Sequence, residues 1–214
     1  EPWSKEEGLK YEKELIGFYL SSNPLEKFDE DLKELSFVPE IIDEKSIIRI
    51  GGIITDVKHR FDKNGNKWAL ITLDIITTSV QIYIFNEAFN KYTDLILEDQ
   101  MCFIIGRSFN DSSTQALSRM VANKIYRLDN LRKTITKQIN VLINYVECDK
   151  TILNNINALQ KDYRGNFKVV LHLQSKHGRV QKILLPGLKL SCQNKTLIKL
   201  RSITRKRKNV WLSI

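Results

Sequence analysis

Lys58, Arg60, Phe61, Lys63, Asn64, Lys67 and Trp68 crowd around the segment Asp62-Lys63-Asn64-Gly65-Asn66. Cations that seek phosphates stand there beside rings on which bases stack for about 1–3 kcal/mol each, the combination that unpaired nucleic acid requires. Tyr83, Phe85 and Arg107 extend the same chemistry further along the chain. Trp68 and Phe85 also have the size and polarity of core residues. A second concentration is Arg205-Lys206-Arg207-Lys208, the densest charge run, with Trp211 close behind it. That run suits phosphate neutralisation, an acidic protein partner or a solvated turn.

Catalytic constellations are not evident. Phosphoryl transfer with two metal ions needs clustered carboxylates holding the ions about 3.5–4 Å apart. The nearest pattern is Asp29-Glu30-Asp31, in an acidic helical stretch where carboxylates favour the N-terminal end of the macrodipole. His59, His172 and His177 are too few and too scattered for a metal centre. Neither a G-x-S-x-G turn nor a phosphate-binding glycine loop occurs. Cys102, Cys148 and Cys192 are far apart, with no CxxC pair, so neither a disulfide framework nor a zinc knuckle is expected. No catalytic residue, metal or cofactor is therefore assigned to this segment.

The elements that must hold these side chains follow from periodicity. Five strand-like runs, Ile47 to Val57, Lys67 to Asp74, Val80 to Phe85, Met101 to Arg107 and Ala116 to Ile125, surround one helical insert, Asn86 to Leu95. This is the order of an OB barrel, in which the helix plugs the bottom of the barrel and one face binds single strands. Asn64-Gly65 tolerates positive φ and predicts a hairpin between the first two runs. Alternation in Val80 to Phe85 sends Val80, Ile82 and Ile84 to the core and leaves Tyr83 and Phe85 for the other face. Met101 to Arg107 is mostly apolar and predicts a strand covered on both sides. Gly51-Gly52 reads as a bend in the first strand, and Asn110 to Gln115 as an exposed polar loop.

Ahead of the barrel, Ser4-Lys5-Glu6-Glu7 has the form of a capping box. It predicts a helix carrying Leu9, Leu15, Ile16, Tyr19 and Leu20, ending before Asn23-Pro24. A second helix is predicted over Leu25 to Leu35. After the barrel, the sequence predicts a strand over Thr134 to Tyr145, a helix over Lys150 to Asp162 and a turn at Arg164-Gly165-Asn166. A hairpin of Phe167 to Leu173 and Arg179 to Leu185, a short run Leu188 to Cys192, a helix from Thr196 to Thr204 and a strand Asn209 to Leu212 follow. The fold class is an all-β OB barrel preceded by a helical connector and followed by a small mixed α/β domain. The domains are 1–45, 46–131 and 132–214, with net charges of −7, +1 and +15. Such asymmetry concerns partners more than fold, and directs a polyanion or an acidic surface to the last third. No apolar run approaches eighteen residues and no secretory leader is evident, so a cytoplasmic protein without a membrane span is expected.

With these elements in place, the chain resembles the C-terminal part of the bacterial replicative DNA polymerase III alpha subunit. The resemblance is carried by Glu12-Lys13-Glu14-Leu15-Ile16-Gly17-Phe18-Tyr19-Leu20-Ser21 and Asn23-Pro24-Leu25 before the barrel. Gly51-Gly52-Ile53-Ile54-Thr55-Asp56-Val57-Lys58 and the hairpin to Leu73 carry it further, as do Phe85, Tyr92, Leu95, Leu97-Glu98-Asp99 and Gly106-Arg107. Ser22-Asn23 departs from the family's Gly-His, and Asp74 to Thr78 is a looser version of its acidic loop. The resemblance implies that the barrel binds single-stranded template DNA and that the final domain docks the tau subunit of the clamp loader. The sliding clamp would be reached through the rest of the polymerase. Mg²⁺ and the palm aspartates belong to a catalytic domain with no counterpart in this sequence. Two other readings of the barrel are an anticodon-binding RNA module and a pure protein-docking platform. The helix-and-connector and the basic tail argue against the RNA module.

Overall fold

The computed structural model describes residues 8, 11–12, 15–16, 23–44, 46–76, 78–109 and 116–214. They fall in two compact units, Glu1–Asp129 and Asn130–Ile214. The capping box, most of the first predicted helix and the 110–115 loop lie outside the described residues. Tyr11, Glu12, Leu15 and Ile16 are helical, with Leu15 and Ile16 exposed.

In the first unit, β1 (Ile47–Phe61), β2 (Lys67–Asp74), β3 (Ser79–Ile84), β4 (Met101–Ser108) and β5 (Arg119–Arg127) close into a barrel of order β1-β2-β3-β5-β4. All pairs are antiparallel except β3 with β5, and β1 pairs with both β2 and β4 to complete the ring. Alternation decides the interior: Ala69, Ile71 and Leu73 of β2 and Val80, Ile82 and Ile84 of β3 are fully buried, as a period of two requires. The helix α1 (Asp29–Leu35) follows a 3-10 turn at Pro24–Phe28, and α2 (Asn86–Tyr92) continues into a 3-10 turn at Thr93–Leu95. Phe89 and Ile96 from this insert join the barrel core.

Close approach explains the strand glycines. A Cβ on Gly51 would strike Leu32 of α1, on Gly52 the Asp74 carbonyl, and on Gly106 the Val121 carbonyl. Leu32 therefore lies against the outside of β1, where Phe103 of β4 is also buried. The irregular register in β1 falls at Ile54/Asp56 rather than at the glycine pair. Relative to the expected runs, β1 continues to Phe61 because the hairpin stays paired to its tip. Strand β5 begins only at Arg119, after Leu117 has entered the core.

The second unit holds a four-stranded sheet, β8-β7-β6-β9, built from β6 (Gln138–Asn144), β7 (Arg164–Gln174), β8 (Val180–Leu190) and β9 (Val210–Ser213). Strands β6 and β7 are parallel and the other pairs antiparallel. The helix α3 (Leu131–Ile135) precedes the sheet; α4 (Lys150–Asp162) packs on β7 and β8, and α5 (Asn194–Thr204) on β6 and β9. Asp149 caps α4 by accepting from the Ile152 N–H at 2.7 Å.

Three expectations for this unit are corrected. Thr134 and Ile135 end a short helix that starts after Asn130 in a left-handed conformation, and the Thr134 hydroxyl and N–H both donate to the Asn130 carbonyl. The strand begins at Gln138, and Tyr145 lies in a 3-10 turn. Arg164-Gly165-Asn166 is not a turn but the bulged start of β7, where Arg164 and Phe167 both face Leu190. Gly165 is needed there because a Cβ would overlap the Leu190 and Ser191 backbone. Finally, Leu188 to Leu190 is no separate strand. The register skips from Leu184 to Lys189 across Pro186-Gly187, with Gly187 at φ +79°, so β8 bends and continues. A bulge absorbs the proline and glycine that sequence alone assigns to a break.

Candidate nucleic-acid interface

The register of the barrel places one row of side chains across its outer face. Lys58 of β1 faces Leu70 of β2, Leu70 faces Tyr83 of β3, Tyr83 faces Val121 of β5, and Val121 faces Arg107 of β4. A cation thus stands at each end, with a ring between two apolar side chains in the middle. Arg60 and Trp68 form the next pair on the same face.

Around Tyr83 the rings are continuous. Tyr83 stacks with Trp68 at 6.1 Å and with Phe85 at 5.9 Å between centroids, Trp68 lies 5.4 Å from Phe85, and Phe109 meets Tyr83 edge-on at 5.2 Å. Trp68 and Tyr83 are half-buried, while Phe85 and Phe109 are exposed. These separations fall within the range of attractive ring pairs, so the cluster is held in shape before any ligand arrives. Phe109 is the member of the cluster that lies beyond the predicted strand Met101 to Arg107. It follows Arg107 by two positions, and the period of β4 would have found it had the strand been carried past Arg107.

Lys63 and Asn64 sit exposed at the hairpin tip. The tip is built by Asp62, whose carboxylate accepts from the Asn64 and Asn66 N–H groups at 2.8 Å and from the Asn66 side chain at 2.9 Å. Those bonds, with the Asn66 side chain foremost, hold the Asp62 pKa below the usual carboxylate value. Gly65 takes φ +80°. Phe61 and Lys67 face each other one residue away from the Arg60/Trp68 pair, and so project from the opposite face of the hairpin. Lys58 makes an ion pair of 2.9 Å with Asp56, both side chains being well exposed. Such a pair contributes little to stability and leaves the cation free to exchange partners.

In the second unit, Arg205, Lys206, Arg207 and Lys208 are all exposed in the connection between α5 and β9. Arg205 has φ +57°. Arg205 and Lys206 border a cleft of about 610 Å³ that has Leu142, Ile143, Ile152 and Ile203 in its wall and Glu147 and Asp149 among its polar groups. Trp211 is not part of that cleft. It lies in β9, half-buried, with its ring 4.8 Å from that of His172.

Among the described residues no group of three or more His, Cys, Asp or Glu could hold a metal ion. Burial pushes the Cys102 thiol up to about 12, which leaves it protonated and a poor nucleophile. No described helix is long and apolar enough to cross a membrane.

No family model matches the chain. Curated relatives do. DNA polymerase III subunit alpha of Buchnera aphidicola subsp. Acyrthosiphon pisum is 28% identical over 183 residues, spanning 82% of this chain and 16% of that protein. The Borreliella burgdorferi protein of the same name is 26% identical over 195 residues, 87% of this chain and 17% of its own length. The one from Escherichia coli K12 is 22% identical over 188 residues, 85% of this chain and 16% of its own. The chain therefore spans about a sixth of the length of these relatives. Among solved structures, the SSB domain of a Synechococcus sp. protein covers 40% of this chain and 98% of its own, with 7% identity and a TM-score of 0.34. The mitochondrial single-stranded DNA binding protein Rim1 of S. cerevisiae covers 39% of this chain and 96% of its own, with 17% identity and a TM-score of 0.31. The barrel assignment rests on the strand order and register given above.

Proposed function

We propose that this chain, homologous over most of its length to DNA polymerase III alpha subunits, is a noncatalytic replicative-polymerase region that binds single-stranded template DNA on its barrel. The carrying observation is the row Lys58–Leu70–Tyr83–Val121–Arg107 with the ring cluster of Trp68, Tyr83, Phe85 and Phe109 built around it. Bases stack on the rings without sequence preference, and phosphates lie towards Lys58, Arg60, Lys63 and Arg107. Asn64 contacts the strand where it passes the hairpin tip, whereas Phe61 and Lys67 project from the other face of the hairpin. Binding of this kind prolongs residence on the template without adding chemistry.

The second unit docks a protein of the clamp loader, the tau subunit in the family, through Arg205, Lys206, Arg207 and Lys208. Support for that part is the +15 charge of residues 132–214 and the exposed basic connection beside an apolar-walled cleft. An acidic segment bearing an apolar anchor is the complementary chemistry.

Titration of labelled single-stranded and duplex oligonucleotides against the chain tests the DNA reading. A clear preference for the single strand is expected. Equal or absent binding would overturn it, and tighter binding of a tRNA stem-loop would favour the RNA-binding reading instead.

A further inference from the structure

We propose that the face of the β6–β9 sheet turned away from α4 and α5 is a second single-stranded DNA surface, acting independently of the barrel. The two long helices cover the face made by Ile139, Val141, Val169, Leu171, Val210 and Leu212. The register assigns the opposite face row by row. One row is Lys189, Lys168, Gln138 and Ser213; the next is Leu184, Val170, Asn140 and Trp211; the third pairs Lys182 with His172 and Leu142.

Two features of that face point to a polyanion. None of the four strands contains an Asp or Glu. Lysines also stand where folding alone disfavours them. Lys168 lies directly opposite Lys189 and both are exposed. Like charges directly opposed across strands destabilise a sheet, so the arrangement is compensated when phosphates arrive. Among the described residues no carboxylate makes a salt bridge to Lys168, Lys182 or Lys189.

The same face carries rings, which favours a polynucleotide over an acidic protein. Trp211 packs on His172 at 4.8 Å. The imidazole is fixed in turn by its Nε2 contact of 3.0 Å to Asn140 Oδ1. Asn140 receives the Gln138 amide at 2.8 Å and donates to Ser213 Oγ at 2.7 Å. This network, with Asn140 and His172 themselves buried, holds the half-buried Trp211 ring beside the lysine rows, the pairing of ring and cation by which single strands are bound.

The test uses the full chain with the barrel face disabled by Tyr83→Ala, Phe85→Ala and Arg107→Glu. Oligo-dT binding is followed by fluorescence anisotropy at low salt, and lysine accessibility by acylation footprinting. Residual binding is expected, with Lys168, Lys182 and Lys189 protected by dT, and Lys168→Glu with Lys189→Glu should weaken it about tenfold. The footprint needs no substitution in the second unit and keeps the test valid should the charge reversals disturb folding. Absence of residual binding, unprotected lysines, or equal protection by poly-glutamate would overturn the proposal. Failure of the barrel reading has a different signature, a barrel-disabled chain that binds dT as tightly as the parent.

Discussion

Tyr83 is the residue on which the proposed barrel interface turns, because it touches three of the other rings and occupies the middle of the cation-flanked row. It lies outside the core, which Ile82 and Ile84 fill from the same strand. Tyr83→Ala should therefore weaken single-strand binding by about 1–3 kcal/mol, the contribution of one stacked base. Tyr83→Phe should retain most of the affinity, and fluorescence anisotropy with oligo-dT separates the two. Most of this site was legible in the sequence because strict alternation in Val80 to Phe85 assigns each side chain to a face before any coordinates are known. Phe109 escapes a sequence reading that ends β4 at Arg107, although a ring two residues beyond a surface arginine shares its face. Nor could sequence reveal that Phe61 and Lys67 project oppositely to Arg60 and Trp68, since that depends on how far the β1–β2 pairing runs towards the tip.

At the level of elements, the barrel was legible because its strands repeat at a period of two between strong turns, whereas the second unit hides its strands inside bulges. Pro186-Gly187 and Gly165 look like chain breaks in sequence, and only the pairing of β7 with β8 shows that the sheet passes through them. Glycine plays the tighter role in the barrel. Gly106 faces the Val121 carbonyl where β4 changes register against β5. Backbone cannot withdraw as a flexible side chain can, so Gly106→Ala should cost about 1–3 kcal/mol or more, measured as a lowered urea midpoint. The sheet of the second unit also carries a pH dependence. Burial, followed by the nearby Lys182 charge, holds the His172 pKa below its ordinary value of 6.5. The unfolded chain binds that proton more readily than the folded one, so stability from this residue is complete above about pH 6.5 and declines as pH falls towards the folded pKa. His172→Gln should shrink the loss of Tm between about pH 7.5 and pH 5.5, and thermal scans of both proteins at both pH values check it.

For the whole molecule, charge is distributed very unevenly, from −7 over residues 1–45 through +1 over 46–131 to +15 over 132–214. The barrel is thus nearly neutral overall, and the proposed attraction for phosphate comes from where Lys58, Arg60 and Arg107 stand rather than from an excess of cations. The second unit is the reverse case, with so many cations that a field extends in front of it and accelerates encounter with any polyanion. These two modes respond differently to ionic strength. Each phosphate contact on a single strand contributes about 0.7 to the slope of log K against log salt. Reversing Lys58, Arg60 and Arg107 to Glu should therefore make the slope for oligo-dT shallower by about 2, provided all three meet phosphates. The slope that survives belongs to Lys63 and the second unit, and combining these reversals with Lys168→Glu and Lys189→Glu should reduce it again by about 1.4. Additive losses are expected if the two surfaces bind as separate sites on one strand. A slope unmoved by the barrel reversals would mean that the row across the barrel does not meet the backbone of the DNA, however well its rings are arranged.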